Sequence, residues 1–126
     1  MITDNGNEGS AMALRKVRVS ARVIGHLEGS DAWQSGQRVV ESGYERQSTV
    51  DMTEAIKAAR RRKDGSVTVE LDDEQRDALY SMADVMAIGA ADNVTAPGDP
   101  YGDNDAVSDL NAARALMRQL KRLETS

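Results

Sequence analysis

The chain has no cysteine and no phenylalanine, one histidine, one tryptophan and two prolines in 126 residues. Without cysteine there is no disulfide, no thiolate zinc site and no cysteine nucleophile. The lone imidazole, His26, rules out any site that needs two. Only Trp33, Tyr44, Tyr80 and Tyr101 are aromatic, so the core must come from Val, Leu, Ile, Met and Ala. So few large side chains predict a marginal core or one completed by a partner subunit. No run approaches the ~18 consecutive apolar residues of a membrane span. The opening MITDNGNEGS lacks the basic and apolar regions of a secretion signal. The expectation is a soluble cytoplasmic protein that uses no cofactor or metal and does not touch a membrane.

What is present divides unevenly. Residues 1–65 hold 11 Lys/Arg against 9 Asp/Glu, and residues 66–126 hold 5 against 12. Between Glu70 and Asp109 there are eleven acids and one base, Arg76. Such a field discourages nucleic acid near the second half and favours cationic partners, or serves solubility alone.

A chain this long fits one modest domain. Residues 1–12 read as a disordered lead-in and 13–124 as a single small α+β domain. From Arg15 to Leu27, Val17, Val19, Ala21 and Val23 alternate with polar residues, which predicts a strand over about 15–24. A helix also groups Leu14, Val17, Ala21 and Ile24, but the β-branched density favours the strand. In 29–50, Ser30 is positioned to cap a short helix through Trp33, Gln37 and Val40 that stops at Gly43. The competing arrangement is two short strands around Ser42-Gly43.

Asp51 with Glu54 makes a capping-box pattern, predicting a helix over about 51–63 with Met52, Ala55, Ile56 and Ala59 as its apolar stripe. Arg60, Arg61, Arg62 and Lys63 would fill its last turn, before a stop at Asp64-Gly65. Val67, Val69 and Leu71 alternate with Ser66, Thr68 and Glu70, predicting a strand over 66–71. Asp72 and Gln75 then form a second capping box at the start of a helix over 73–90. Leu79, Met82, Ala83, Met86 and Ala90 stripe that helix, with Val85 and Ile88 widening the stripe. Residues 92–104 carry both prolines and read as a long loop. A last helix over 105–123 presents Leu110, Ala113, Leu116, Met117, Leu120 and Leu123. The expected fold is a small sheet of two to three strands with the helices packed mainly on one face.

Few residues suggest chemistry. Asp99, Asp103, Asp105 and Asp109 fail the calcium-loop spacing in either register and suit helix capping and loop solubility. His26 has no recognisable nucleophile beside it, and the acid pair Asp72-Asp73 is a helix cap. No catalytic constellation is present, and the expectation is a non-enzymatic protein. The surplus apolar face of the last helix, together with adaptable methionines, suggests self-association or a protein partner held by Met82, Met86, Leu116, Met117, Leu120 and Leu123. The alternative is nucleic-acid binding through Arg15, Arg18, Arg22, Arg60, Arg61, Arg62 and Lys63, although no aromatic interleaves with these bases.

Two resemblances bear on this. VTVELDDEQRDALYSMA, a strand running into a helix, resembles the ribbon–helix–helix DNA-binding proteins, which implies Ser66, Thr68 and Glu70 in base-reading positions. TVELDDEQRDALYSMADVM, a Gly/Asp/Pro loop and NAARALMRQLKRL together resemble a recurrent type of small strand–helix–helix protein of actinobacteria and their phages. That resemblance covers about residues 66–124 and implies no activity. It implies a short accessory protein acting by binding inside a bacterial cell, such as a phage-encoded modulator of a host protein or a mimic of DNA.

Overall fold

The computed structural model describes residues 14–43, 45–94 and 104–125. Among them are β1 (Arg15–Val19), α1 (Ala21–Glu28), α2 (Asp31–Ser35), α3 (Gln37–Glu41), α4 (Gln47–Ala58), β2 (Val67–Leu71), α5 (Asp73–Val94) and α6 (Asn104–Thr125). The expected disordered lead-in at 1–12 and most of the expected loop at 92–104 lie outside the described residues.

The two strands pair antiparallel, with Val17 opposite Val69 and Val19 opposite Val67. Because side chains alternate along a strand, these valines and Leu71 share one face and are buried, while Lys16, Arg18, Thr68 and Glu70 share the exposed one. The buried face meets Val23, Ile24 and Leu27 of α1, Met52 and Ile56 of α4, and the inner sides of α5 and α6. The small α+β architecture is therefore as the alternation implied, with two strands among the described residues and helices against one face of the sheet.

The first strand is shorter than its β-branched run suggested. It ends at Val19, because the Ser20 side chain accepts a hydrogen bond from the Val23 N–H and caps α1. The period of two that buries Val17 and Val19 gives way to the helical set Val23, Ile24 and Leu27. Ser30 caps α2 as expected, accepting from the Trp33 N–H. The segment then breaks at Gly36, whose φ of 56° suits glycine, and resumes as α3 rather than as strands. Lys57 ties α2 to α4, donating to the Trp33 carbonyl at 3.0 Å with its ammonium 5.5 Å from the Trp33 ring centre.

The α4 helix begins four residues before Asp51, so the expected Asp51–Glu54 capping box does not form. Asp51 lies inside the helix and accepts from Gln47 Nε2 at 2.9 Å. At the other end Ala59 is extended, and Arg60–Lys63 fall in the connection to β2 instead of the last helical turn. The second capping box is complete. The Gln75 N–H donates to Asp72 Oδ1 at 2.8 Å, and the Asp72 N–H donates to Gln75 Oε1 at 3.0 Å.

The two long helices run antiparallel and make the most extensive helix pairing in the molecule. Leu79, Ala83, Met86 and Ala87 of α5 are buried in a core that includes Ala113, Leu116 and Leu120 of α6. Burying each larger side chain contributes about 1.5–3 kcal/mol, so this seam absorbs the apolar face of α6 from which self-association was expected. Val85 and Ile88 do not widen the core stripe. They are 62 % and 58 % exposed, on the opposite side of α5.

Candidate functional site

The expected partner-interface residues divide once the helices are packed. Met86, Leu116 and Leu120 are buried within the chain's own core, and Met82, Met117 and Leu123 pack partly buried against it. The face that suggested self-association is thus already covered by α5.

The arginines disperse. Arg22 on α1 reaches across to α6, donating to Asp109 Oδ1 at 2.9 Å and Asp105 Oδ1 at 3.4 Å. Its pKa is raised further by the hydrogen bond to Asp109, then by the one to Asp105. Arg61 lies 3.6 Å from Glu28, and Arg62 donates to Thr68 Oγ1 at 3.0 Å. Arg18 donates to Asp64 Oδ2 at 2.7 Å. Arg15, Arg60 and Lys63 are exposed and have no partner among the described residues. The seven expected nucleic-acid contacts therefore form no single patch of unpaired charge. Of the three base-reading positions implied by the ribbon–helix–helix resemblance, Ser66 is buried and donates its hydroxyl to Asp64 Oδ1 at 2.6 Å. Only Thr68 and Glu70 stay exposed.

Asp64 is the knot of this region. Its carboxylate accepts from the Ser66 hydroxyl, from the Ser66 N–H and from Arg18, and these bonds, in that order, lower its pKa from 3.8 to about 2. The charged form is favoured because every donor faces it. His26 is exposed on α1, beside a cavity of about 220 Å³ that Asp109 and Asn93 also line. The Asp109 carboxylate there is already bonded to Arg22. Among the described residues no three His, Asp or Glu side chains gather as metal ligands, and no helix is long and apolar enough to cross a membrane.

The clearest feature is the outer side of α5. Glu74, Asp77, Ser81, Asp84 and Ile88 recur at spacings of three and four, so they form one stripe along the helix, with Val85 beside it. All six are exposed. Glu74, Asp77 and Asp84 meet no cation among the described residues. The helix has one base, Arg76, and it turns inward. Arg76 is 8 % exposed, donates to the Leu71 carbonyl and pairs with Asp73. Its charge is withdrawn from the outer stripe, which is left acidic and apolar together.

No family model, curated protein or solved structure matches the chain. The site must be read from its own chemistry.

At the start of the stripe Glu74, Asp77, Ala78 and Ser81 form one wall of a cleft of about 590 Å³. Glu45, Arg46, Gln47, Ser48 and Thr49, at and before the first turn of α4, form the other. Sequence reasoning missed this cleft because the two walls lie about 30 positions apart. Missing the stripe had a different cause, since Val85 and Ile88 were assigned to the core. A usable signal was present. Their spacing of three places them with Asp77, Ser81 and Asp84, not with Leu79 and Ala83.

Proposed function

We propose that the protein is a non-enzymatic binding module whose partner is a protein with a cationic surface bearing apolar side chains. The observation that carries this reading is the outer stripe of α5, where Val85 and Ile88 stand exposed among carboxylates that meet no cation among the described residues. Burying the two apolar side chains would contribute about 1.5–3 kcal/mol each. Exposed ion pairs add about 0–1 kcal/mol apiece. The apolar pair therefore supplies affinity, while the acids speed encounter and select a basic partner. Nucleic-acid-binding proteins have surfaces of this kind, which fits an accessory role in a bacterial or phage setting. A symmetric pairing of two α5 stripes would set like charges against each other, so the stripe suits a different protein better than a second copy.

A second reading, nucleic-acid binding through the N-terminal half, draws on Arg15, Arg60 and Lys63, which are exposed and have no partner among the described residues.

The two are separated by capture from a bacterial lysate with four proteins: wild type, Val85→Ser/Ile88→Ser, Asp77→Asn/Asp84→Asn and Arg60→Ala/Arg61→Ala/Arg62→Ala. The expected result is a captured protein that survives nuclease, disappears with the serine pair, weakens with the asparagine pair and is indifferent to the arginine triple. Capture that ends with nuclease or with the arginine triple would overturn the first reading in favour of the second.

A further inference from the structure

The cleft between α4 and α5 is lined by a buried threonine whose hydroxyl has no partner among the described residues. Thr49 lines it at 8 % exposure, and its Oγ1 has no hydrogen bond among the described residues. One turn later Thr53, fully buried, donates its hydroxyl to the Val50 carbonyl at 2.8 Å. The helix therefore offers a local solution that Thr49 does not use. With no protein partner, this hydroxyl is left to bond whatever enters the cleft, water or a ligand group able to reach it.

The other lining groups specify that ligand. Glu45, Glu74 and Asp77 outnumber the single base, Arg46, so the cleft is net anionic. Glu74 and Asp77 lie nearly one turn apart on α5, with the Ser81 hydroxyl another turn on. Facing them, the start of α4 lacks a side-chain cap, and the Gln47 and Ser48 N–H groups have no partner among the described residues. The cleft thus presents several acceptors to a cation and, on the opposite wall, two donors to neutral carbonyls. A free phosphate would meet three carboxylates, and a bare metal ion would leave the two N–H groups unused.

We propose that this cleft receives an arginine residue of the cationic partner. This rests on the reading of the α5 stripe, of which Glu74, Asp77 and Ser81 are the first members. The guanidinium carries five donors in a fixed plane, which suits two carboxylates and two hydroxyls arranged around it better than the three donors of an ammonium group. The peptide carbonyls flanking the arginine accept from Gln47 and Ser48. A volume of about 590 Å³ admits the side chain together with those peptide groups.

The test uses the full chain and a small probe, so it is independent of any captured partner. Amide shifts are followed by NMR as N-acetyl-arginine methylamide is added, with N-acetyl-lysine methylamide as comparison. The expected outcome is saturable shifts confined to Ser48, Thr49, Asp77, Ser81 and their neighbours. Binding should fall about tenfold for the lysine probe and for Glu74→Gln/Asp77→Asn, a loss equal to one charge-assisted hydrogen bond. Thr49→Val keeps the β-branched shape and removes only the hydroxyl. It should weaken the arginine probe while its thermal melt stays at or above that of wild type. Val85→Ser/Ile88→Ser should leave the probe unaffected. Shifts scattered over all acidic residues, no saturation, or equal binding of the lysine probe would each overturn the proposal. Loss of probe binding alongside intact, stripe-dependent capture sinks the cleft alone. Intact probe binding with capture indifferent to Val85 and Ile88 sinks the stripe alone.

Discussion

The carboxamide of Gln119 pairs with the main chain of Arg18 as a neighbouring strand residue would. The Arg18 N–H donates to Oε1 at 2.9 Å, and Nε2 donates to the Arg18 carbonyl at 3.0 Å. One side chain of α6 thereby occupies main-chain groups on the outer edge of β1, an edge that would otherwise be available to another strand. Both bonds are near the surface, so Gln119→Ala should cost about 1–2 kcal/mol, the lower range for two net hydrogen bonds. Urea denaturation measures that loss. Faster hydrogen exchange at the Arg18 amide, with the β2 amides facing β1 still protected, would locate it.

Gly65 sits at φ +84°, and a Cβ there would lie 2.9 Å from the Cβ of Ala21. Gly65→Ala combines a left-handed backbone penalty of about 1–2 kcal/mol with that clash. An overall destabilisation of about 2–3 kcal/mol is expected, seen as a lower midpoint in denaturation. Gly65→Ala/Ala21→Gly removes the clash and should recover only the steric part. Full recovery would mean that the backbone conformation carries no penalty.

Asp64 links stability to acid. Its pKa is lower in the fold, about 2 against the ordinary 3.8, so folding binds its proton less well than the unfolded chain does. The contribution is complete above about pH 4 and is lost as pH falls towards about 2. Asp64→Asn should therefore narrow the stability difference between neutral pH and pH 2–3 relative to wild type. Parallel stability–pH curves for the two proteins across that window would contradict the assignment.

Arg76 supports the start of α5 from beneath. Replacing it by Met keeps the aliphatic length but leaves the buried Leu71 carbonyl without its guanidinium donor. The cost should be about 1.5–3 kcal/mol for the lost charge-assisted hydrogen bond to a buried carbonyl. Asp73 keeps water as a partner because it is half-exposed. The measurement is the shift in urea midpoint, and a loss below about 0.5 kcal/mol, typical of a plain surface change, would refute the role.

Features set by near neighbours were the ones readable in advance. Asp72 and Gln75 are three apart, so their capping box is fixed by local geometry and marks the start of α5 correctly. Ser30 caps α2 for the same reason. Val67, Val69 and Leu71 alternate cleanly because β2 has one wet face. The errors came where two local patterns overlapped or where none was present. The run from Arg15 to Ile24 contains both a strand period and a helix period, and Ser20 divides them. The start of α4 has no side-chain cap at all, which made Asp51 look like a beginning when it lies inside the helix.

The sequence by itself determined the class of the fold, the apolar rows that build it and the acidity of its second half, because each depends on residues within a turn or a strand of one another. Tertiary structure decided what that acidity faces. It turned Arg76 inward, left Val85 and Ile88 outside, set Arg22 against Asp105 and Asp109, and brought Thr49 opposite Asp77. Charges and apolar groups far apart in sequence acquire their neighbours only when helices pack, and packing selects which side of an ambiguous helix is buried. The candidate surface is the side that packing left over.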